Sequence, residues 1–291
     1  YKMSMVVAGI DHGYVSATYE IRDEGVYRKY DGDRGPKCLA WTNSRSTHQM
    51  VNSMKALQKS CNYYFYVLGD MMAIEDIDET AKGFGLGEST GVELYEETGH
   101  RANEETKKAL YSGENAYWYK GDQVLASIGQ SDNRFTPLQL CVYVSTIANK
   151  GQRLQATFLQ RVVSNDYRTL VEENQPTIVS NMVISDEAYG AVLEGMKQVA
   201  RTGGTAQATF SNYPVDVACK TGTAETGKQD ASANAAFVCF APAEQPKIAI
   251  SIYGEQAGHG SGMAVIAKSM LDYYLNIDEA SDVSSYENAV S

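Results

Sequence analysis

Apolar residues recur at every second position in three stretches near the end of the chain, and at helical spacing over much of the remainder. Val215, Val217 and Cys219 predict a strand from Val215 to Ala224 with one buried face. Ala235 to Ala241 and Lys247 to Tyr253 read as two further strands, and the short turn holding Pro242 and Pro246 makes them a hairpin. Val51, Met54 and Leu57 mark one face of a helix from Thr47 to Gln58. A second helix starts at Pro137: Thr136 is a good N-cap, Gln139 completes a capping box, and Gly151 supplies the stop after Leu140, Val144 and Ile147. Ser185 caps a helix from Asp186 to Ala200 with acids in its first turn and Tyr189, Val192, Leu193, Met196 and Val199 facing inward. Met263 to Leu275 forms the last helix. Strands and helices segregate along the chain, so the expected class is α+β.

Composition narrows the function. With 291 residues, 43% hydrophobic and 21% charged, the chain can bury a sizeable core, and no Pro/Gly/Ser-rich linker interrupts its middle. One domain over residues 1–275 is expected, then an acidic, serine-rich flexible tail over 276–291. A net charge of −11 without a basic stripe argues against a nucleic-acid partner, so any anion must be drawn by a local cluster of cations. No signal peptide is visible, and the longest apolar runs are about eight residues, short of the roughly 20 that span a bilayer. The five cysteines (Cys38, Cys61, Cys141, Cys219, Cys239) contain no C-x-x-C pair and read as small buried apolar residues. His12, His48 and His100 show no metal spacing, so neither a metal nor another cofactor is expected.

The most informative stretch is Lys220-Thr221-Gly222-Thr223-Ala224-Glu225 on the first of the three strands. An ammonium group there can attract a carboxylate, and a neighbouring hydroxyl can bind it at short range. The missing side chain at Gly222 lets a peptide backbone pair alongside as an added strand. Lys-Thr-Gly arises by accident in only a few per cent of chains this long, roughly, whereas about one accidental Ser-x-Asn is expected. Three copies of Ser-x-Asn occur, beginning at Ser60, Ser131 and Ser232. The third follows Lys-Thr-Gly and is in the wrong order. Ser131-Asp132-Asn133 precedes the Thr136 capping box and reads as a solvated loop. Ser60-Cys61-Asn62 falls at a helix-to-helix turn and is preferred.

Together these blocks resemble the transpeptidase domain of class B penicillin-binding proteins, whose motifs are Ser-x-x-Lys, Ser-x-Asn and Lys-Thr-Gly. The likeness runs from Lys2 to about Leu275. It rests on the Ser60 block, Ala126 to Gln130 with Thr136 to Gln139, Glu194 to Met196 with Gly203 to Ala206, the Lys220 block, and Ala235 to Pro242. Cys219 and the Gly258-His259-Gly260-Ser261-Gly262 run depart from the family's pattern. No complete Ser-x-x-Lys exists here. Tyr1-Lys2 looks like the end of Ser-Thr-[aromatic]-Lys, which implies a nucleophilic serine in the pair of residues before Tyr1.

The resemblance implies a penicillin-binding/serine β-lactamase-like transpeptidase fold: an antiparallel sheet flanked by helices, with two strands supplied by an upstream segment. It implies a D,D-transpeptidase that cross-links peptidoglycan stem peptides through a serine acyl-enzyme and is acylated by β-lactams. Lys2, Ser60, Asn62 and Lys220 would be catalytic, with Thr221, Gly222 and Thr223 binding substrate. Cell-wall synthesis proteins would be partners. The place would be the extracytoplasmic face of the bacterial cytoplasmic membrane, held by an anchor outside these residues. A β-lactam sensor or a non-catalytic peptide-binding scaffold would share the same fold. Gly222 to Lys228 also spells the core of a phosphate-binding loop, but Gln229 replaces the Ser/Thr that holds Mg²⁺ and a strand rather than a helix follows.

Overall fold

The structure, a computed structural model, describes residues 1–225 and 231–277. Helix α1 (Lys2–Asp11) is buried from Lys2 through Ile10 and runs through the middle of the larger core. The chain continues through α2 (Leu39–Ser44), α3 (Ser53–Lys59), α4 (Asn62–Met71), α5 (Ile74–Gly83), α6 (Glu104–Leu110), α7 (Lys120–Ala126) and α8 (Pro137–Ala148), of which α3, α4 and α5 pack on α1. A two-residue ladder joins β1 (Ile21–Arg22) to β2 (Met50–Val51). Two small antiparallel pairs follow α8: β3 (Gln152–Leu154) with β6 (Ile178–Asn181), and β4 (Arg161–Val163) with β5 (Leu170–Glu173). The chain then passes through α9 (Asp186–Ala200) and the short α10 (Gln207–Phe210) to the sheet β7 (Ala218–Ala224), β8 (Asn234–Ala241) and β9 (Ile248–Gly254), and ends in α11 (Met263–Tyr274).

That sheet is antiparallel in the order β7-β8-β9, with Cys219 opposite Cys239 and Gly222 opposite Ala236. One face meets α8 and α9. The other, with Phe237 and Ile250, packs against Ala264, Ala267 and Leu271 of α11 in a second core cluster. Helix α9 wedges between β7 and α3, and Gly195 makes the close approach possible: a Cβ there would lie 2.7 Å from Leu57 Cδ1. The helix and strand pattern read from the sequence is thus present as an α+β fold.

Three local expectations need correction. The helix expected from Thr47 begins at Ser53, because His48 and Gln49 are drawn to Asp23 and Asn52 caps the helix by accepting from the Lys55 amide. The first strand of the sheet starts at Ala218 rather than Val215. Asp132 and Asn133 are buried rather than solvated: Asp132 accepts from the Tyr111 hydroxyl, and Asn133 bonds the backbone of Ala102, Ala126 and Gln130. Their role in the loop is structural, and they lie outside the cleft described below. Of the tail expected over 276–291, residues 278–291 fall outside the described residues.

Candidate active site

Ser60 ends α3 in the left-handed conformation, at φ 53°, with its amide donating to Leu57 O and the Cys61 amide to Ala56 O. A residue with a Cβ costs about 1–2 kcal/mol there. The turn reverses the chain so that Asn62 opens α4 and the Ser60 hydroxyl stands free of both helices. Lys2, the first residue of α1, reaches across to it: Nζ donates to Asn62 Oδ1 at 2.6 Å, to Ser60 O at 3.0 Å and to Ser60 Oγ at 3.2 Å. The ammonium also lies 5.2 Å from the centre of the Phe65 ring, one turn into α4.

Lys220 approaches the same hydroxyl from β7, at 3.0 Å, and donates to Thr221 O at 2.6 Å. Burial pulls the Lys2 ammonium down to about 8 and drives Lys220 well below its ordinary value, with the charge on Lys2 adding to the effect on Lys220. In a chain of net charge −11, two buried lysines on one hydroxyl make the local cationic spot that the sequence reading required.

Thr221 Oγ1 lies 2.7 Å from Thr205 Oγ1, and the Thr223 hydroxyl accepts from the Gly260 amide at 3.5 Å. Gly260 rests flat on the sheet: a Cβ there would stand 2.2 Å from Gly222 O and 2.4 Å from Ala236 O. β7 pairs with β8 alone, so its other edge, carrying Lys220 to Thr223, is unpaired among the described residues. Lys2, Ser60, Asn62, Lys220, Thr221, Gly222 and Thr223 all line one open cleft of about 470 Å³. The fold brings together every site residue read from the sequence.

The penicillin binding protein transpeptidase domain matches residues 1–272. The chain belongs to this family. It is similar to the peptidoglycan D,D-transpeptidase MrdA of Acinetobacter baumannii, at 32% identity over 283 residues, covering 92% of this chain and 40% of that protein. It is also similar to penicillin-binding protein 2B of Streptococcus pneumoniae, at 27% identity over 305 residues, covering 94% and 42%. The chain therefore spans about two fifths of the length of these relatives. Among solved structures, Pseudomonas aeruginosa PBP2 in complex with WCK 5153 superposes at a TM-score of 0.80 and 26% identity, covering 94% of this chain and 59% of that one. Helicobacter pylori PBP2 in complex with MreC gives 0.78 and 26%, covering 95% and 49%.

Within this transpeptidase domain the phosphate-loop reading loses its basis. Gly222, Thr223 and Ala224 are strand residues paired with β8, whereas a phosphate nest needs consecutive amides turned inward. Gly227 and Lys228 lie outside the described residues.

Sequence reading missed several neighbours of the site. Thr205, Gly260 and Phe65 carry no motif of their own, although the glycine-rich runs around Thr205 and Gly260 were visible. Cys219 is fully buried in the sheet, while His259 lines the cleft. His48, which has no metal spacing in sequence, comes together with Asp23, Cys38 and Cys61, their donor atoms lying within 4.8 Å of one another. The four residues come from four separate segments, which is why no local spacing revealed them. Asp23 Oδ2 accepts from His48 Nδ1 at 2.8 Å and from Cys61 Sγ at 3.5 Å, while Cys38 and Cys61 sulfurs are 3.9 Å apart. Two thiols, an imidazole and a carboxylate are a donor set that suits zinc better than Mg²⁺ or Ca²⁺. Cys61 is the middle residue of Ser60-Cys61-Asn62, so this cluster lies directly behind the turn.

Proposed function

We propose that this chain carries most of the active site of a peptidoglycan D,D-transpeptidase, with the nucleophilic serine three residues before Lys2. The observation that carries the reading is the convergence of Lys2 and Lys220 on the Ser60 hydroxyl, in a cleft flanked by the free edge of β7. The position of Tyr1 supports the upstream serine, since it lines the same cleft as Lys2, Ser60 and Lys220. A residue shortly before it would enter the same space.

In this reading Lys2, deprotonated in part by burial, takes the serine proton as the serine oxygen attacks the penultimate D-alanine carbonyl of a stem peptide. The tetrahedral oxyanion is held by the Thr223 amide and that of the serine. Ser60 passes a proton from the cationic pair to the departing D-alanine nitrogen, leaving a serine ester. An amine of a second stem peptide then attacks the ester, gives up its proton by the reverse route and restores the serine. Thr221 and Thr223 hydroxyls bind the terminal carboxylate, Lys220 supplies positive potential, and Asn62 orients Lys2 and the substrate amide. A β-lactam would acylate the same serine.

The stem peptide is an extracytoplasmic substrate, so the protein would work at that face of the membrane, anchored by a segment outside these residues. Among the described residues no helix is long and apolar enough to cross a membrane. Residues 1–275 would form the larger part of one domain, whose sheet an upstream segment completes beside β9. Proteins of cell-wall synthesis would be partners, as the complex of Helicobacter pylori PBP2 with MreC suggests.

The test is intact mass of the full-length protein after incubation with benzylpenicillin. One penicilloyl adduct on the peptide that ends in Tyr1-Lys2 is expected. Transfer of the acyl group to an added amine acceptor separates an enzyme from a sensor, which would stay acylated. Failure to be acylated would leave a scaffold.

A further inference from the structure

The segment between α9 and α10 is tied at both ends of the cleft. Lys59, the residue before Ser60, donates from Nζ to Gly203 O at 2.7 Å, and Gln58 Nε2 donates to Thr202 O at 3.3 Å. Two residues on, the Thr205 hydroxyl meets the Thr221 hydroxyl at 2.7 Å. The loop is held against its own helix: the Ala206 amide donates to Val199 O at 3.0 Å, and a Cβ on Gly204 would stand 2.1 Å from that oxygen. Gly203, at φ 84°, makes the reversal. A braced strap therefore links the end of α3, where Ser60 sits, to the middle of β7.

A threonine hydroxyl has one proton and two lone pairs. If Thr221 is to hold a carboxylate in the cleft, its proton must point at that carboxylate. The short contact with Thr205 then requires Thr205 to be the donor. We propose that Thr205 is a positioning residue: it donates to Thr221 Oγ1, turns the Thr221 proton toward the substrate carboxylate, and sets the distance of that carboxylate from Ser60 through the strap. This rests on the acyl-transfer reading above and adds to it the origin of carboxylate selectivity. Thr205 lines the cleft beside Thr221 without standing between Lys2, Ser60 and Lys220, so its loss acts on binding rather than on the acylation step.

The experiment resolves acylation of the full-length protein by benzylpenicillin into the dissociation constant of the first complex and the rate constant of acylation. Thr205→Val is expected to weaken the first complex about tenfold, as for loss of a bond that supports a charged ligand, while the rate constant stays within about twofold. Thr205→Ser should match the wild type. On a Thr221→Val background, Thr205→Val should add nothing, because the two hydroxyls act as one unit. Unchanged binding in Thr205→Val, a defect confined to the rate constant, a serine variant as impaired as the valine one, or additive effects in the double variant would each overturn the proposal. Should the valine variant not fold, Thr205→Ala carries the same comparison. A wild-type protein that is not acylated removes the function reading and this proposal with it. A normally acylated wild type with an indifferent Thr205→Val removes this proposal alone.

Discussion

Lys2 of α1 and Lys220 of β7 approach one hydroxyl, at 3.2 and 3.0 Å from Ser60 Oγ. Two ammonium groups so close together and so deeply buried cannot both stay charged cheaply, and burial lowers both, Lys2 to about 8. A base must be neutral to take a proton. Acylation of the full-length protein by benzylpenicillin should therefore rise about tenfold per pH unit below pH 8 and level off above it. Lys2→Arg, which keeps its charge, should abolish the rise along with the activity. A rate flat from pH 6 to 9 would remove Lys2 from the role of base.

Ser60 trades stability for position. Its left-handed backbone strains any residue but glycine, while Lys2 keeps Asn62 and Ser60 O, and Lys220 keeps Thr221 O, when the hydroxyl is lost. Ser60→Gly should raise unfolding stability by about 1 kcal/mol in urea titrations. The same variant should lose about 10²- to 10⁴-fold in acylation rate, the range expected for a proton relay. Ser60→Ala should lose the activity without the gain.

Gly260 is the contact on which the sheet edge and the following loop meet. Adding one methyl group there meets two backbone oxygens that have no freedom to turn aside. Gly260→Ala should cost about 1–3 kcal/mol in stability and slow acylation, since the displaced backbone carries Gly222 and Thr223. Gly262→Ala, with nothing near the added Cβ, serves as its control.

The cluster behind Cys61 predicts a response to zinc. One equivalent should raise the melting temperature by mass action, and His48→Gln or Cys38→Ser should remove most of the rise. Melting that is indifferent to zinc would leave the four groups as a hydrogen-bonded core.

What the sequence disclosed follows the range of the forces involved. Thr136 with Gln139, and Ser185 ahead of two acids, are local capping signals, and both helices start where they indicate. Residues Ala235 to Ala241 carry a strand pattern that needs no distant partner to be recognised. The Ser60 turn and the Lys220 strand were readable from their blocks, and Lys2 from its likeness to half a motif. Long-range contacts left no such trace. His48 gives up the predicted helix because a carboxylate 25 residues earlier takes its amide, and Thr205 matters only because β7 passes beside it. Asp132 and Asn133 looked solvated because their spacing carries no sign of the buried backbone they satisfy.

Helix α1 is buried from Lys2 through Ile10, and only its first residues border the cleft. Its amides have no way to exchange with solvent short of opening the whole core, so their protection should equal that of global unfolding. The lysine at its head is therefore not free to loosen ahead of the rest. Heating should abolish acylation and tertiary structure in a single transition, and variants that merely soften surface loops should leave the reactive geometry intact until the molecule melts.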